Sequence, residues 1–423
     1  MQTILAFVLV FGIIVIVHEF GHFYFAKKSG ILVREFAIGM GPKLFQTHRN
    51  ETTYTIRMLP IGGYVLMAGY EDEEDIRLGM PALLVLDENE KVSEIDLSKQ
   101  SMYTKGIPID VLEYDFNEQL YIKGNMTDNT EKTVTYPVNA DAILIKEDGT
   151  KLQIAPANRQ FPNAPLFNRI LTNFGGPLNN FILAIVAFIL MAFMQVGIPS
   201  TEPVIGRIEE NTPAAQSQLE TGDRVLSIED EEVSSFTEMV EIVGQHPNED
   251  LTFEMETPEN NRYTEVIKPE ARTVNEIEVG RIGVEVSMKT SFLDKLAFGF
   301  TETWSTIKMV SQSIVMLFTG QFSVDDLGGP VAIFELTGQV TKTSGFIGIV
   351  NFIGFLSINL GLMNLLPIPA LDGGKLLLNI IEGIRGKKIS EEKEAMINLI
   401  GMVLLLILML VVTWNDIQRF FFN

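Results

Sequence analysis

The chain of 423 residues has no cysteine, which excludes disulfides and thiolate metal ligands. Histidine is scarce as well, at 4 residues, so an imidazole pair at ligand spacing carries weight. Basic charge is in deficit: 32 Lys and Arg stand against 54 Asp and Glu, a net charge of -22, and that balance argues against nucleic acid as a partner. Charge is also nearly missing from four apolar windows, Ile4 to Phe25, Leu178 to Ile198, Phe346 to Leu366 and Met396 to Trp414. A bilayer core of roughly 30 Å takes about 20 helical residues, so each window is long enough to span one. The start lacks the basic lead and the small-residue cleavage site of a secretory signal, and residues 1–27 read as a retained first span.

Lys and Arg near span ends stay on the cytoplasmic side, and they set the expected orientation. Lys27, Lys28 and Arg34 follow span one, Arg169 precedes span two, and Lys375, Arg385, Lys387, Lys388 and Lys393 lie between spans three and four. With four spans all three clusters share one face, leaving both termini outside. The stretch "TTYTIRMLPIGGYVLMAGY", 52–70, reads as a hairpin or a sharply bent strand around Pro60 and Gly62-Gly63, within a membrane-associated β region over 28–70. Residues 71–165 read as a cytoplasmic β-rich insertion, opening on a solvated acidic loop at 71–75 and turning at Glu147-Asp148-Gly149.

Span two, with its lead-in, covers 174–198. Beyond it, residues 202–272 alternate strands with a helix-like "TPAAQSQLE" and an amphipathic helix near 235–243, with Phe236, Met239, Val240 and Val243 at core spacing. The "GDRVLSIEDEEV" stretch resembles a PDZ domain, on the outer side of the membrane. Residues 290–322 mix aromatics with Lys295, Glu302 and Lys308, and read as an amphipathic helix lying along the outer surface. Spans three and four extend over 346–375 and 396–414.

His18-Glu19-Phe20-Gly21-His22 sits inside span one. Residues four apart on a helix point the same way, so His18 and His22 converge on one zinc ion, with Glu19 close enough to deprotonate a water there. A catalytic zinc keeps about three protein ligands and an open position. His48 and His246 lie in polar surroundings and are poor candidates for the third ligand. The better one is Asp372 in "NLLPIPALDGGK", where Pro367 and Pro369 end the helix of span three at membrane depth.

Together, HEFGH in span one, "NLLPIPALDGG" in span three and the PDZ-like unit between spans two and three resemble the site-2 protease family of intramembrane zinc metalloproteases, especially the regulator-of-sigma and pheromone-processing group. The resemblance implies zinc on His18, His22 and Asp372, with Glu19 as general base and Asn364 holding substrate backbone. It also implies a membrane-dipping β-hairpin whose Gly62, Gly63 and Tyr64 meet an unwound substrate, and "FGGPLNN", 174–180, fits a further family element. A single PDZ-like unit departs from relatives that carry two. The expected fold is a polytopic α-helical membrane protein with four transmembrane helices, that hairpin, a cytoplasmic β-rich insertion and one extracytoplasmic PDZ-like domain. The expected activity is hydrolysis, in the bacterial cell membrane, of transmembrane segments of pre-trimmed proteins: anti-sigma factors, signal-peptide remnants or pheromone precursors. Rival readings are a zinc transporter, which needs polar groups that spans two and four lack, and a non-catalytic membrane scaffold, which needs no Glu between two His.

Overall fold

Hydrocarbon offers no water to backbone N–H and C=O groups, so an apolar run that enters it bonds them internally as a helix. The computed structural model describes residues 2–69, 76–98, 106–127, 129–147, 149–274, 277–320 and 328–422. The acidic run 71–75, Asp148, and residues 321 and 322 of the amphipathic stretch lie outside the described residues. The α-helices are α1 (Gln2–Lys28), α2 (Leu166–Met194), α3 (Phe236–Gln245), α4 (Phe292–Phe318), α5 (Pro330–Thr343), α6 (Gly345–Leu365), α7 (Asp372–Arg385) and α8 (Glu391–Phe421). Among them α1, α2, α6 and α8 are long and apolar enough to cross a membrane.

Boundaries differ from the sequence expectation where polar residues extend an apolar helix. α2 begins at Leu166 rather than 174, runs through Pro177 and stops at Met194, with Ile198–Pro199 a short strand. α8 exceeds 396–414 at both ends. α5 was not anticipated. Its N-cap is Gly329, which has no capping side chain, and the cap comes instead from Asp416 of α8, whose carboxylate accepts the N–H groups of Gly329 (3.2 Å) and Ala332 (2.9 Å).

The chain divides into two compact units, residues 1–185 with 303–423, and residues 186–302. In the first, β1 (Val33–Arg49) and β2 (Thr52–Met67) are long bent strands joined by a turn at Asn50 and Glu51. The hairpin thus bends between β1 and β2, and Gly62-Gly63 lies inside β2. Because both strands fold over, Phe36 of β1 pairs with Tyr54 and again with Val65, while Gln46 pairs with Thr55. The 63–67 half of β2 pairs with β1 on one side only, and its other edge has no strand partner among the described residues.

The insertion forms a sheet of β3 (Pro81–Leu86), β4 (Val92–Asp96), β5 (Ile107–Asp115), β6 (Tyr121–Met126), β7 (Asn129–Ile145) and β8 (Lys151–Gln153) in the order β4-β3-β5-β6-β7-β8. A parallel pairing of β4 with β7 closes β3 to β7 into a barrel, which removes exposed edges among those strands. Leu84, Val92, Ile95, Ile109, Val111 and Ile122 fill its interior. Arg159, beyond the barrel, holds both Glu51 oxygens at 2.9 and 2.8 Å and so ties the β1–β2 turn down.

In the second unit, Ile205–Ile208 pairs with Val284–Val286, and a four-stranded sheet has the order 231–232, 224–228, 251–256, 262–267. The unit therefore reaches past residue 272, because the partner of its early strand lies beyond it. Ser235 Oγ caps α3 by accepting the Glu238 N–H, and Met239 and Val243 enter a core with Ile205, Phe253 and Met255. Val240, expected in that core, is 52% exposed on the outer face of α3. "TPAAQSQLE" forms only a single 3₁₀ turn, Ala214–Gln216.

The Arg159 contact, and after it nearby Gln153 and Lys27, hold the Glu51 carboxyl down from its ordinary 4.5 to about 2. A depressed carboxyl contributes stability that is complete above its unfolded pKa and is lost as pH falls through the folded one. Glu51→Gln is therefore expected to lower the melting temperature above pH 4.5, with the difference from the unsubstituted protein shrinking toward zero by about pH 2, as thermal scans across that range would show.

Candidate metal centre and active site

His18 and His22 are buried on α1, and Asp372 is buried in the first turn of α7. Their nearest atoms form a triangle: Nε2 to Nε2 is 3.2 Å, His18 Nε2 to Asp372 Oδ2 is 3.3 Å, and His22 Nε2 to Asp372 Oδ2 is 3.2 Å. Ligands about 2.0–2.1 Å from a tetrahedral zinc lie about 3.3 Å from one another, so the triangle matches one face of such a site. Two further observations fit a cation. Asp372 Oδ2 is a buried acceptor without a hydrogen bond, and His22 Nδ1 lies 2.8 Å from the Thr172 carbonyl. A carbonyl only accepts, so the His22 proton sits on Nδ1 and Nε2 keeps its lone pair for a ligand bond.

The space beside these atoms is kept open by α2. A Cβ added to Gly176 would lie 2.3 Å from His22 Nε2 and 2.7 Å from His18 Cε1, so any side chain there fills the cradle. At the adjoining residues, Gly21 and Gly175 let the α1 and α2 backbones touch, since a Cβ on Gly21 would lie 2.0 Å from the Gly175 carbonyl oxygen. Asn179 Nδ2 donates to the Val17 carbonyl at 3.1 Å, and the Asn180 amide lies 3.2 Å from His18 Nδ1. The "FGGPLNN" stretch thus acts through both close packing and polar contact with the site.

α6 stops at Leu365 and α7 starts at Asp372, so the prolines open a six-residue break. Gly373 fits against the returning chain, where a Cβ would come 2.2 Å from the Leu366 carbonyl oxygen. At its other end α7 is clamped to α2: Arg169 donates to both Glu382 oxygens, at 2.9 and 2.5 Å, with both side chains largely buried. Removing one partner of a buried pair leaves a stranded charge and costs about 3–5 kcal/mol. The clamp fixes the helix that carries Asp372, and the sequence reading used Arg169 only as an orientation signal.

Glu19 follows His18 on α1 and interacts electrostatically with His22, His18, Asp372 and Lys375. β2 passes directly over it: a Cβ added to Gly63 would lie 3.1 Å from Glu19 Cγ and 3.2 Å from Val15 Cγ1. Gly62 has φ 75°, the turn that bends β2 there. Tyr64 donates to Glu35 Oε2 at 2.8 Å and accepts from Arg57, fastening this half of the strand to the rest of the sheet. Asn364 is half-buried in the last turn of α6, and its side chain has no hydrogen-bond partner among the described residues. His48 bonds Thr53 on the exposed end of β1, and His246 caps α3; neither joins the triangle.

Substituting Gly176→Ala places a methyl group against the liganding nitrogens. The expected result is a fall in Zn2+ affinity of at least about tenfold, measured by chelator competition, with helical content unchanged by circular dichroism.

A family model for peptidase family M50 matches residues 6–408. The probable protease eep of Enterococcus faecalis is 48% identical over the whole of both chains. The zinc metalloprotease RasP of Bacillus licheniformis is 44% identical over the whole of both, and the regulator of sigma-W protease RasP of Bacillus subtilis is 40% identical over 99% of each. A PDZ domain of an SdrC-like protein from Listeria monocytogenes aligns with 22% of this chain and 93% of its own, at 16% identity and a TM-score of 0.18. With a model matching nearly its full length and relatives of this kind, the chain belongs to peptidase family M50 and is a zinc metalloprotease with several membrane-spanning helices.

Proposed function

We propose that this protein is an intramembrane endopeptidase that hydrolyses peptide bonds inside transmembrane segments. The observation that carries the reading is the buried triangle that Asp372 of α7 forms with His18 and His22, which lie inside α1, a helix long and apolar enough to span a bilayer. Charged and imidazole groups at that depth cost a few kcal/mol each to insert, and a metal site that does chemistry there accounts for them.

His18, His22 and Asp372 hold the zinc. When bound, zinc supplies Lewis acidity that polarises the scissile carbonyl and eases removal of a proton from water. Glu19 takes that proton from the attacking water and returns it to the departing amine nitrogen. A helix hides its peptide bonds, so the substrate is first unwound; the open edge of β2 at Gly62, Gly63 and Tyr64 pairs with the extended segment, directly above Glu19. Asn364, with free hydrogen-bonding capacity, holds substrate backbone.

The basic clusters support an orientation with both termini outside, the barrel of the insertion in the cytoplasm and the PDZ-like unit of 202–272, with its extension to Val286, on the outer face. α4 lies along the outer membrane surface, with Phe292, Phe300 and Trp304 exposed for contact with lipid. The setting is the bacterial cell membrane. The substrates are membrane proteins already trimmed outside, and the name of the Bacillus subtilis relative favours anti-sigma factors among them, with signal-peptide remnants and pheromone precursors as further members of that class.

Purified protein with Zn2+ and a short transmembrane model peptide in liposomes tests the reading. A defined cut inside the apolar segment is expected, falling at least about 1000-fold in Glu19→Gln while zinc stays bound. Asp372→Asn is expected to lose zinc. Cleavage by Glu19→Gln, or unchanged zinc content in Asp372→Asn, overturns the corresponding role.

A further inference from the structure

We propose that Asn180 is a positioning residue whose amide sets the tautomer of His18 and so keeps Nε2 available to zinc. The inference rests on the metal reading above. Asn180 is fully buried on α2, and its backbone carbonyl accepts a 2.8 Å hydrogen bond from Ser357 Oγ of α6, also fully buried, so the residue is held in place from outside the site.

The two imidazoles have unequal partners. Thr172 offers His22 a carbonyl, which only accepts and so holds the proton on Nδ1 in every state. Asn180 offers His18 an amide, which donates from one end and accepts at the other. In the structure Nδ2 faces His18 Nδ1 at 3.2 Å, and Oδ1 is buried without a hydrogen bond. With the amide turned this way Nδ1 accepts, and a ring proton on Nε2 would block that atom as a ligand.

Zinc on Nε2 requires the other tautomer, with the proton on Nδ1. A half-turn of the amide exchanges Nδ2 for the unsatisfied Oδ1 and supplies the acceptor that this proton needs. A residue that only donates would hold the ring proton on Nε2, and one that accepts holds it on Nδ1 and leaves Nε2 for the ligand bond. Asn180 thereby couples His18 to the metal without touching it.

The test measures Zn2+ dissociation constants by chelator competition on the full-length protein in detergent, with cobalt substitution to read coordination geometry from its absorption bands. Asn180→Leu, which keeps the shape and removes the acceptor, is expected to weaken zinc about 10–100-fold, the range for outer-shell partners of a ligand. Asn180→Asp, which keeps the acceptor, is expected to hold zinc at least as tightly as the unsubstituted protein. In a His18→Cys background, where a thiolate ligand has no Nδ1, Asn180→Leu is expected to change affinity less than about twofold. This comparison stands even where the aspartate variant fails to fold. Equal losses for Leu and Asp, or an undiminished effect of Asn180→Leu in the His18→Cys background, overturn the proposal. Should His18→Ala and Asp372→Asn leave zinc affinity unchanged, the metal reading itself fails; should they lower it while Asn180→Leu does not, only the role of Asn180 fails.

Discussion

Three buried side chains, two imidazoles and a carboxylate, meet with edges of 3.2 to 3.3 Å in a region of the chain too apolar to solvate them. Everything nearby serves that meeting. Glycines 21, 175 and 176 let α1 and α2 approach until the imidazoles are roofed over, the proline break after α6 turns Asp372 inward, and the Arg169–Glu382 pair fixes the far end of α7. A cation bound there offsets the buried charge of Asp372 and takes up the imidazole lone pairs, which lowers the cost of enclosing the cluster in hydrocarbon.

The substrate proposed for this site is itself a buried helix, and the geometry around Glu19 suits that proposal. β2 lies over Glu19 at a glycine, close enough that a methyl group would collide. On the proposed reading, an extended segment paired to the open edge of β2 has its carbonyls presented in a row beside Glu19. The Tyr64, Glu35 and Arg57 network keeps that edge from peeling off the sheet. Burial, followed by the bond donated to Glu35, raises the Tyr64 phenol above its ordinary range, so it stays a neutral donor.

How much of this was legible beforehand follows from the range of each interaction. His18 and His22 are one helical turn apart, so their convergence is written in spacing alone, and Asp372 is marked by flanking prolines and glycines. The four apolar helices follow from composition. The β character of 28–70 was legible too, but not β1 as one long strand turning at Asn50 and Glu51, because "GMGPKLFQTH" lacks a clean alternation and pairs along its length with β2. α5 was missed because its cap is Asp416, more than eighty residues away, and the barrel because its closure depends on β4 meeting β7. Gly176 and Asn180 stand in a stretch the sequence had singled out, and Thr172 just ahead of it, yet their duties depend on how α2 is rotated against α1, which no local pattern encodes.

X-ray absorption at the zinc edge of the purified, zinc-loaded protein tests the central claim most directly. The account predicts a four-coordinate shell of nitrogen and oxygen at about 2.0–2.1 Å with the multiple-scattering signature of two imidazoles, one of them lost on His22→Ala. A shell with fewer than two imidazoles, or one indifferent to His22, would contradict it.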